Sequence, residues 1–188
     1  MSARELGRRY FLSYVHAYEP RVLGQLHEEV FPLYVAENPS ACGAALQAWC
    51  SRWHLCDQWI IEIALTTLRW WWWLGQNPGS PFHKAGGATL GWQWGSPHDP
   101  VPSSEVPPRR GKRSRGGRRP VNATTPWWGT SDAVVEDPYR HYVWLAVWQI
   151  GLHTHKSLSE AFGVDLNTVR TALRETAREI GLTRKKRW

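Results

Sequence analysis

The segment at 76–132 places the strongest constraint on what this chain can fold into. Proline, glycine and serine recur along it, in NPGSPFHKAGG and again in PHDPVPSSEVPPRRGKRSRGGRRP. Because it has no sustained apolar periodicity, it cannot easily bury a core. The folding information therefore lies on either side of it. We predict an all-α chain with a helical, Trp-rich N-terminal domain at 1–75, a flexible basic linker at 76–132 and a C-terminal domain at 133–188.

Basic side chains are concentrated in two short runs. The chain has 23 basic and 16 acidic residues, and its formal net charge is +7. The run RRGKRSRGGRR at 109–119 carries seven positive charges and no acid, so the other 16 basic residues balance the 16 acidic ones. Four of those 16 form the RKKR run at 184–187. Such runs are typical of nucleic-acid-binding arms, and the alternative is a solubilising linker.

The chain before the RKKR run predicts a long amphipathic helix. Asp165 is placed to cap its first turn, and Gly181 suits the left-handed residue that follows its last turn. Leu182 would then fold back toward Ala177, as in a Schellman ending. One face of the helix is apolar with a period of about 3.6 residues. That face comprises Val169, Ala172, Leu173, Thr176, Ala177 and Ile180.

The segment before this helix predicts a shorter helix and a tight turn. Leu158 and Phe162 lie four residues apart and therefore face one side. Ser159 is small at a position where two helices would approach closely. Gly163 can take a positive φ in the turn. The two helices and their turn together predict a helix-turn-helix pair.

A preceding helix completes a trihelical unit. Asp137 is expected to cap it, Pro138 to occupy its first position and Gly151 to end it. Its buried stripe is predicted to contain Tyr139, Val143, Ala146, Val147 and Ile150, flanked by Trp144 and Trp148. Over 139–182 the chain thus resembles the helix-turn-helix superfamily found in bacterial regulators, sigma-factor DNA-binding regions and recombinase tails. The usual alanine of the first motif helix is Ser159 here.

The resemblance implies double-stranded DNA as the partner and the long helix as the element that enters the major groove. The residues expected to read bases are Asn167, Thr168, Arg170 and Thr171, because Asn suits adenine, Arg suits guanine and Thr takes either role. Phosphate contacts are expected from Arg174, Arg178, Arg109, Arg110, Lys112, Arg113, Arg115, Arg118, Arg119, Arg184, Lys185, Lys186 and Arg187. The implied function is that of a transcriptional regulator, or of a sigma-like or mobile-element-associated factor.

Three alternatives to this interpretation stay open. The polar face of the long helix can be an ordinary solvated face, with Glu175 and Glu179 pairing with its arginines. The helix-turn-helix fold can be the docking surface of a protein-interaction adaptor. RNA can bind through the arginines and tryptophans of the linker. Those tryptophans either stack on bases or dock on a neighbouring domain, and docking is favoured. They are Trp92, Trp94, Trp127 and Trp128.

Four helices are predicted in the N-terminal domain. Proline should stop or kink the second helix at Pro32, and Ser40 is expected to cap the third. The helices are expected at about 6–18, 21–31, 40–53 and 57–74.

Four consecutive indoles, at 70–73, occupy about one turn of the fourth helix and point in all directions. Some of them must be exposed or covered by another chain, which motivates the hypothesis of a homodimer through these Trp-rich helices. A membrane partner is not expected, since Glu62 and Arg69 interrupt the apolar run.

The three cysteines, an odd number, indicate reduced thiols in a cytoplasmic protein. For a DNA-binding protein we expect association with the nucleoid. The spacing of Cys50, His54 and Cys56 matches no common zinc module, so we predict buried structural thiols, no metal and no cofactor. We see no glycine-rich phosphate loop, nucleophile elbow or paired acids. Residues 1–74 also lack the alternating strands and helices of recombinase catalytic domains. We therefore predict that the protein is not an enzyme.

Overall fold

The computed structural model describes residues 1–77, 91–95 and 139–183, and within these ranges every regular element is helical. The predicted all-α class is confirmed. The helices are α1 (Ala3–Tyr18), α2 (Arg21–Gln25), α3 (Phe31–Val35), α4 (Pro39–Trp53), α5 (Gln58–Gln76), α6 (Arg140–Gln149), α7 (His155–Phe162) and α8 (Leu166–Ile180). A π-helical turn, Leu26–Val30, joins α2 to α3.

The start of α4 corrects one predicted cap. Asn38 caps this helix, and its side-chain oxygen accepts a hydrogen bond from the Ala41 N–H at 3.0 Å. Pro39 occupies the first helical position, where a missing N–H is tolerated. Because the proline takes that position, the helix begins earlier than predicted. Ser40 lies inside its first turn, and the prediction that Ser40 is the cap is wrong.

The helix does not end near Pro32, and its turn just before the proline is wider than an α-helical turn. The Phe31 N–H bonds to the Leu26 carbonyl, five residues back, in the π-helical turn. Pro32 lies in the first turn of α3, which continues to Val35. A π-helical turn is one of the few devices by which a helix changes course. The chain therefore stays helical through Pro32, and the predicted stop at this residue is wrong.

Helix α6 lies between other helices and is buried almost all round. Most of its predicted stripe is buried, although Tyr139 and Val143 are only half-buried. Tyr142, Leu145 and Gln149 are buried too, even though they lie off that stripe. A helix that is buried on all sides needs more than one neighbour. Both α1 and α8 pack against α6.

Helix α1 comes very close to α6 and α8 at Gly7. A Cβ atom at this position would lie 2.7 Å from the Tyr142 hydroxyl oxygen and 2.8 Å from Ile180 Cγ2. Next to this approach the rings of Tyr10 and Tyr139 stack, with their centroids 4.1 Å apart. The buried side chains of the N-terminal helices and of α6–α8 form one continuous core. The division into domains at 1–75 and 133–188 stays a prediction.

The short segment 91–95 is docked on the N-terminal helices. The Trp92 ring lies against Trp49, with the centroids 6.2 Å apart, and the Gln93 N–H donates to Thr67 Oγ1 at 3.1 Å. The Arg9 guanidinium lies over the Trp94 ring at 4.9 Å. Docking is thus confirmed for Trp92 and Trp94. The predictions for Trp127 and Trp128 fall outside the described residues, as do those for Asp137 and Pro138.

The four indoles at 70–73 have different surroundings. Trp70 and Trp71 are buried and Trp73 is half-buried, whereas Trp72 is 42% exposed. Trp72 lines a shallow groove with Leu33, and the homodimer hypothesis now depends on this face of α5. No helix within the described ranges is long and apolar enough to cross a membrane.

Candidate nucleic-acid interface

Both predicted ends of α8 are confirmed. One Asp165 carboxylate oxygen accepts hydrogen bonds from the N–H groups of Asn167, at 2.8 Å, and Thr168, at 3.0 Å. Gly181 follows the helix in the left-handed conformation, with φ +67°. The Leu182 N–H then bonds to the Ala177 carbonyl at 2.8 Å, which is the long hydrogen bond of a Schellman ending. The helix is therefore closed at both ends by its own sequence.

The two faces of α8 have the burial that the sequence predicts. Every residue of the apolar face is buried. On the opposite side Asn167, Thr168 and Arg170 are exposed, and Thr171 is half-buried. Further along the same side, the two arginines expected to contact phosphates are also exposed. They are Arg174 and Arg178. The structure thus gathers the predicted base-reading and phosphate-binding residues of α8 on one surface, which we call the α8 stripe.

The acidic residues of α8 interact with α6. The Tyr142 hydroxyl donates to Glu179 Oε1 at 2.9 Å. Burial, followed by this hydrogen bond, raises the pKa of Tyr142 to about 12. Glu175 is close enough to His141 to raise its pKa, although burial and Arg140 lower that pKa more strongly, and the net shift is downward.

The arginines of the α8 stripe have no acidic partner in the described part of the chain. No carboxylate oxygen there lies within 4.0 Å of a guanidinium nitrogen of Arg170, Arg174 or Arg178. The alternative in which Glu175 and Glu179 pair with these arginines is therefore not what the structure shows. The stripe is polar, cationic and open to solvent.

Helix α7 is held against α8 through a compact turn. Gly163 ends α7 with φ +61°, as predicted, and Leu158 is fully buried. The Ser159 hydroxyl donates to the Val164 carbonyl at 2.6 Å. The Phe162 ring lies on Trp144 of α6, with the centroids 5.4 Å apart. The serine at the usual alanine position thus closes the turn between the two helices.

The start of α7 is defined by a reciprocal pair of hydrogen bonds. The Ser157 N–H donates to the Thr154 hydroxyl at 3.1 Å, and the Thr154 N–H donates to the Ser157 hydroxyl at 2.9 Å. This is a capping box with serine in the place of the usual Glu or Gln. The helix therefore begins at His155.

The C-terminal end of α8 is bound by side chains from α1. Arg4 Nε donates to the Glu179 carbonyl at 3.0 Å, and Arg8 Nε donates to the Ile180 carbonyl at 2.8 Å. Helix C-terminal carbonyls carry partial negative charge, so cations there are stabilising. The Arg8 guanidinium also lies over the Trp59 ring, 4.6 Å from its centroid.

Backbone groups just beyond α8 are also hydrogen-bonded by side chains from other parts of the chain. Trp59 Nε1 donates to the Gly181 carbonyl at 3.0 Å. The Thr183 N–H donates to both Asp57 carboxylate oxygens, at 2.9 and 3.0 Å. Gln149 Nε2 donates to the Thr183 carbonyl at 3.1 Å and to the His54 carbonyl at 2.6 Å.

We call the side chains that hold this end the C-terminal anchor. They are Arg4, Arg8, Asp57, Trp59 and Gln149. Sequence patterns do not reveal them, because their partners are backbone groups far away in the chain. Gln149 alone gives a signal, since a polar residue inside the apolar run 142–150 must find a hydrogen-bond partner when it is buried.

Both basic runs lie outside the described residues. Neither 109–119 nor 184–187 is described, so their roles in phosphate binding stay predictions. The second run follows Thr183 directly, and Thr183 is held by the C-terminal anchor. The anchor therefore fixes the last described residue before this run.

The cysteines differ in burial. Cys42 and Cys50 are buried, but Cys56 is exposed. The prediction of buried thiols is wrong for Cys56, because it lies in the connection between α4 and α5, outside both apolar helix faces. Among the described residues, no group of three His, Cys, Asp or Glu side chains lies close enough to hold a metal ion.

Comparisons of the chain with protein-family models, with curated proteins and with solved structures found no match. The functional assignment therefore rests on the residues and geometry of the chain itself.

Proposed function

We propose that the protein binds double-stranded DNA with α8 in the major groove. The observation that carries the proposal is the α8 stripe, whose Asn167 and Arg170 side chains are exposed on the side away from the core. Amide and guanidinium groups are the donors that recognise adenine and guanine edges in that groove. With α7 and its turn beside it, α8 has the setting of a recognition helix.

The stripe divides into two parts by position along the helix. Its first turns, with Asn167, Thr168 and Arg170, would meet base edges, and the half-buried Thr171 would approach them least. Arg174 and Arg178 follow one and two turns later, where a helix leaving the groove meets phosphates. Selectivity would therefore come from the N-terminal half of α8 and placement from the C-terminal half.

Electrostatic affinity would come mainly from the basic runs. The described residues contain 11 Lys and Arg side chains and 11 Asp and Glu side chains, so they carry no excess positive charge. Non-specific affinity for DNA depends on the number of phosphates neutralised. We infer that 109–119 and 184–187 supply most of it, in a cytoplasmic, nucleoid-associated regulator or a sigma-like or mobile-element-associated factor.

The test is a gel shift of the full chain on a random duplex pool at moderate salt, followed by sequencing of the bound fraction. We expect an enriched motif. Deletion of 109–119 should weaken binding to every duplex and reduce the slope of log K against log salt by about 0.9 for each phosphate that this run neutralises. The enriched motif should stay the same in the deletion variant. A motif that changes with the deletion would overturn the division of roles.

A second candidate function is that of a protein-interaction adaptor, and the neutrality of the described residues favours it. Asp165 is exposed at the N-terminal end of α8, where its carboxylate would repel phosphates. No enriched motif, together with binding abolished by about 200 mM salt, would favour this candidate. Competition by single-stranded RNA would instead indicate RNA binding through the basic linker.

A further inference from the structure

The end of α4 folds the chain back on itself and brings two cysteines together. His54 takes the left-handed conformation, with φ +56°, and the Leu55 N–H bonds to the Cys50 carbonyl at 2.8 Å. This is the long bond of a Schellman ending, which returns the chain over the last helical turn. Cys56 therefore lies beside Cys50, and their Sγ atoms are 2.7 Å apart.

The two thiols differ in access. Cys56 is exposed, so a dissolved reagent can reach it, whereas Cys50 is fully buried beneath it. The Cys50 thiol has two acceptors within reach, the Cys56 sulfur and the Gln47 carbonyl oxygen at 3.3 Å, and the two sulfurs face one another. The third cysteine, Cys42, is buried eight positions before Cys50 on α4 and serves as an internal control.

We propose that Cys50 and Cys56 form a reversible disulfide, with a small-molecule disulfide such as oxidised glutathione as the oxidant. The Cys56 thiolate attacks one glutathione sulfur, forms a mixed disulfide and releases a first glutathione thiolate. The Cys50 thiol loses its proton to solvent, and its sulfur attacks the Cys56 sulfur. The bond to glutathione breaks and the second glutathione thiolate leaves. Two protein thiols lose two electrons and two protons, and oxidised glutathione becomes two thiols.

Access sets the order of these steps. The exposed thiol reacts first because it alone meets the oxidant. Burial, followed by the hydrogen bond with Cys56, raises the pKa of the Cys50 thiol, which also disfavours it as the first nucleophile. The mixed disulfide at Cys56 therefore precedes the final product.

The disulfide would act on the C-terminal anchor. Residues between and next to the two cysteines contact this anchor: the His54 carbonyl accepts from Gln149 Nε2 of α6, and the Asp57 carboxylate accepts from the Thr183 N–H. Because the sulfurs are adjacent while these bonds are made, closing the ring needs little movement and restrains 54–57 in the bound conformation. The oxidised protein therefore holds Thr183 more tightly.

The experiment uses the full chain in glutathione buffers of increasing oxidised fraction, followed by alkylation of the free thiols in denaturant, which exposes Cys42, and mass spectrometry of the peptides. We expect the final product to contain Cys42 as the only alkylated cysteine and a Cys50–Cys56 cross-link. Cys42→Ala should form the same cross-link. Cys50→Ala should stop as a stable mixed disulfide at Cys56. A wild-type product that retains glutathione on Cys56, or that is cross-linked between chains, overturns the proposal.

A second measurement tests the effect on the anchor. Hydrogen exchange at the Thr183 amide should be about tenfold slower in the cross-linked protein than in the reduced protein, the order expected from closing a short loop. The Asn38-capped start of α4, at the opposite end of that helix from Cys50, provides an internal reference at the Ala41 amide. Equal exchange at Thr183 in the two redox states would refute the coupling even where the disulfide forms.

Discussion

The two ends of α8 are held in different ways. The N-terminal end is closed by its own Asp165, which leaves Asn167 and Arg170 exposed. The C-terminal end is bound by Arg4 and Arg8, residues that precede it by more than 170 positions. The N-terminal end therefore keeps its polar side chains open to solvent, whereas the C-terminal end is joined to α1. We expect the contacts with α1 to set the direction of α8.

Substitutions near the anchored end of α8 and substitutions at exposed positions should differ in their effect on the free energy of unfolding. Changes at Gly7 and Arg8 disturb the anchored end, whereas changes at Arg170 and Trp72 leave it intact and act on exposed positions. If the comparison is correct, stability depends on the first pair and binding or association on the second.

The largest effect is expected for Gly7→Ala. The new Cβ would lie within 3 Å of Tyr142 and Ile180 atoms, and Ile180 is fully buried and cannot easily move. We expect the free energy of unfolding to fall by about 1–3 kcal/mol, as measured by urea denaturation.

Gly43→Ala is the matched control for this change. Gly43 is also helical, and nothing lies within 4 Å of its added Cβ. Alanine is the better helix former, so this variant should gain up to about 1 kcal/mol. If both variants were equally stable, the close approach of α1 to α6 and α8 would be wrong.

A smaller loss is expected for Arg8→Met. Methionine keeps the apolar stem but removes the hydrogen bond to the Ile180 carbonyl and the contact with the Trp59 ring. We expect a loss of about 1–2 kcal/mol in the free energy of unfolding. Arg69→Met, at an exposed position on α5, should change stability by less than about 0.5 kcal/mol. If the loss for Arg8→Met were as small as that of the control, Arg8 of the C-terminal anchor would not stabilise the fold.

Arg170→Ala should leave stability within about 0.5 kcal/mol of the original, because the side chain is exposed. In binding assays it should reduce discrimination at one base pair by about 1–3 kcal/mol. The measurement compares affinities for the enriched duplex and for duplexes with single base changes. An equal loss on every duplex would contradict a base-reading role, and Arg69→Ala should alter neither quantity.

The smallest effect on folding is expected for Trp72→Gln, since this indole is 42% exposed. If a homodimer forms through the Trp-rich helices, the substitution should weaken self-association without changing the unfolding of the monomer. Sedimentation of the two proteins over a micromolar concentration range measures this. A wild-type chain that stays monomeric throughout that range would count against the dimer.

Much of the local structure could be predicted because its causes are local. Asp165, Gly163 and Gly181 define helix ends through their own backbone or side chains, and each takes the predicted role. The exposed face of α8 could also be predicted from the sequence, because a 3.6-residue period separates buried from exposed positions. The prediction for Ser40 was wrong because Asn38 and Ser40 both have the side chain of a helix cap. Pro39 takes the first helical position, so the cap is Asn38.

The sequence by itself determined that the described chain is helical, where α8 begins and ends, and which of its faces is open to solvent. The tertiary structure alone decided that α1 packs against α6 and α8, that α6 is buried almost all round, and that Arg4, Arg8 and Asp57 hold the end of α8. The physical reason is the range of the interactions. Periodicity and capping act within a few residues, whereas the anchor joins side chains to backbone groups that only folding brings together.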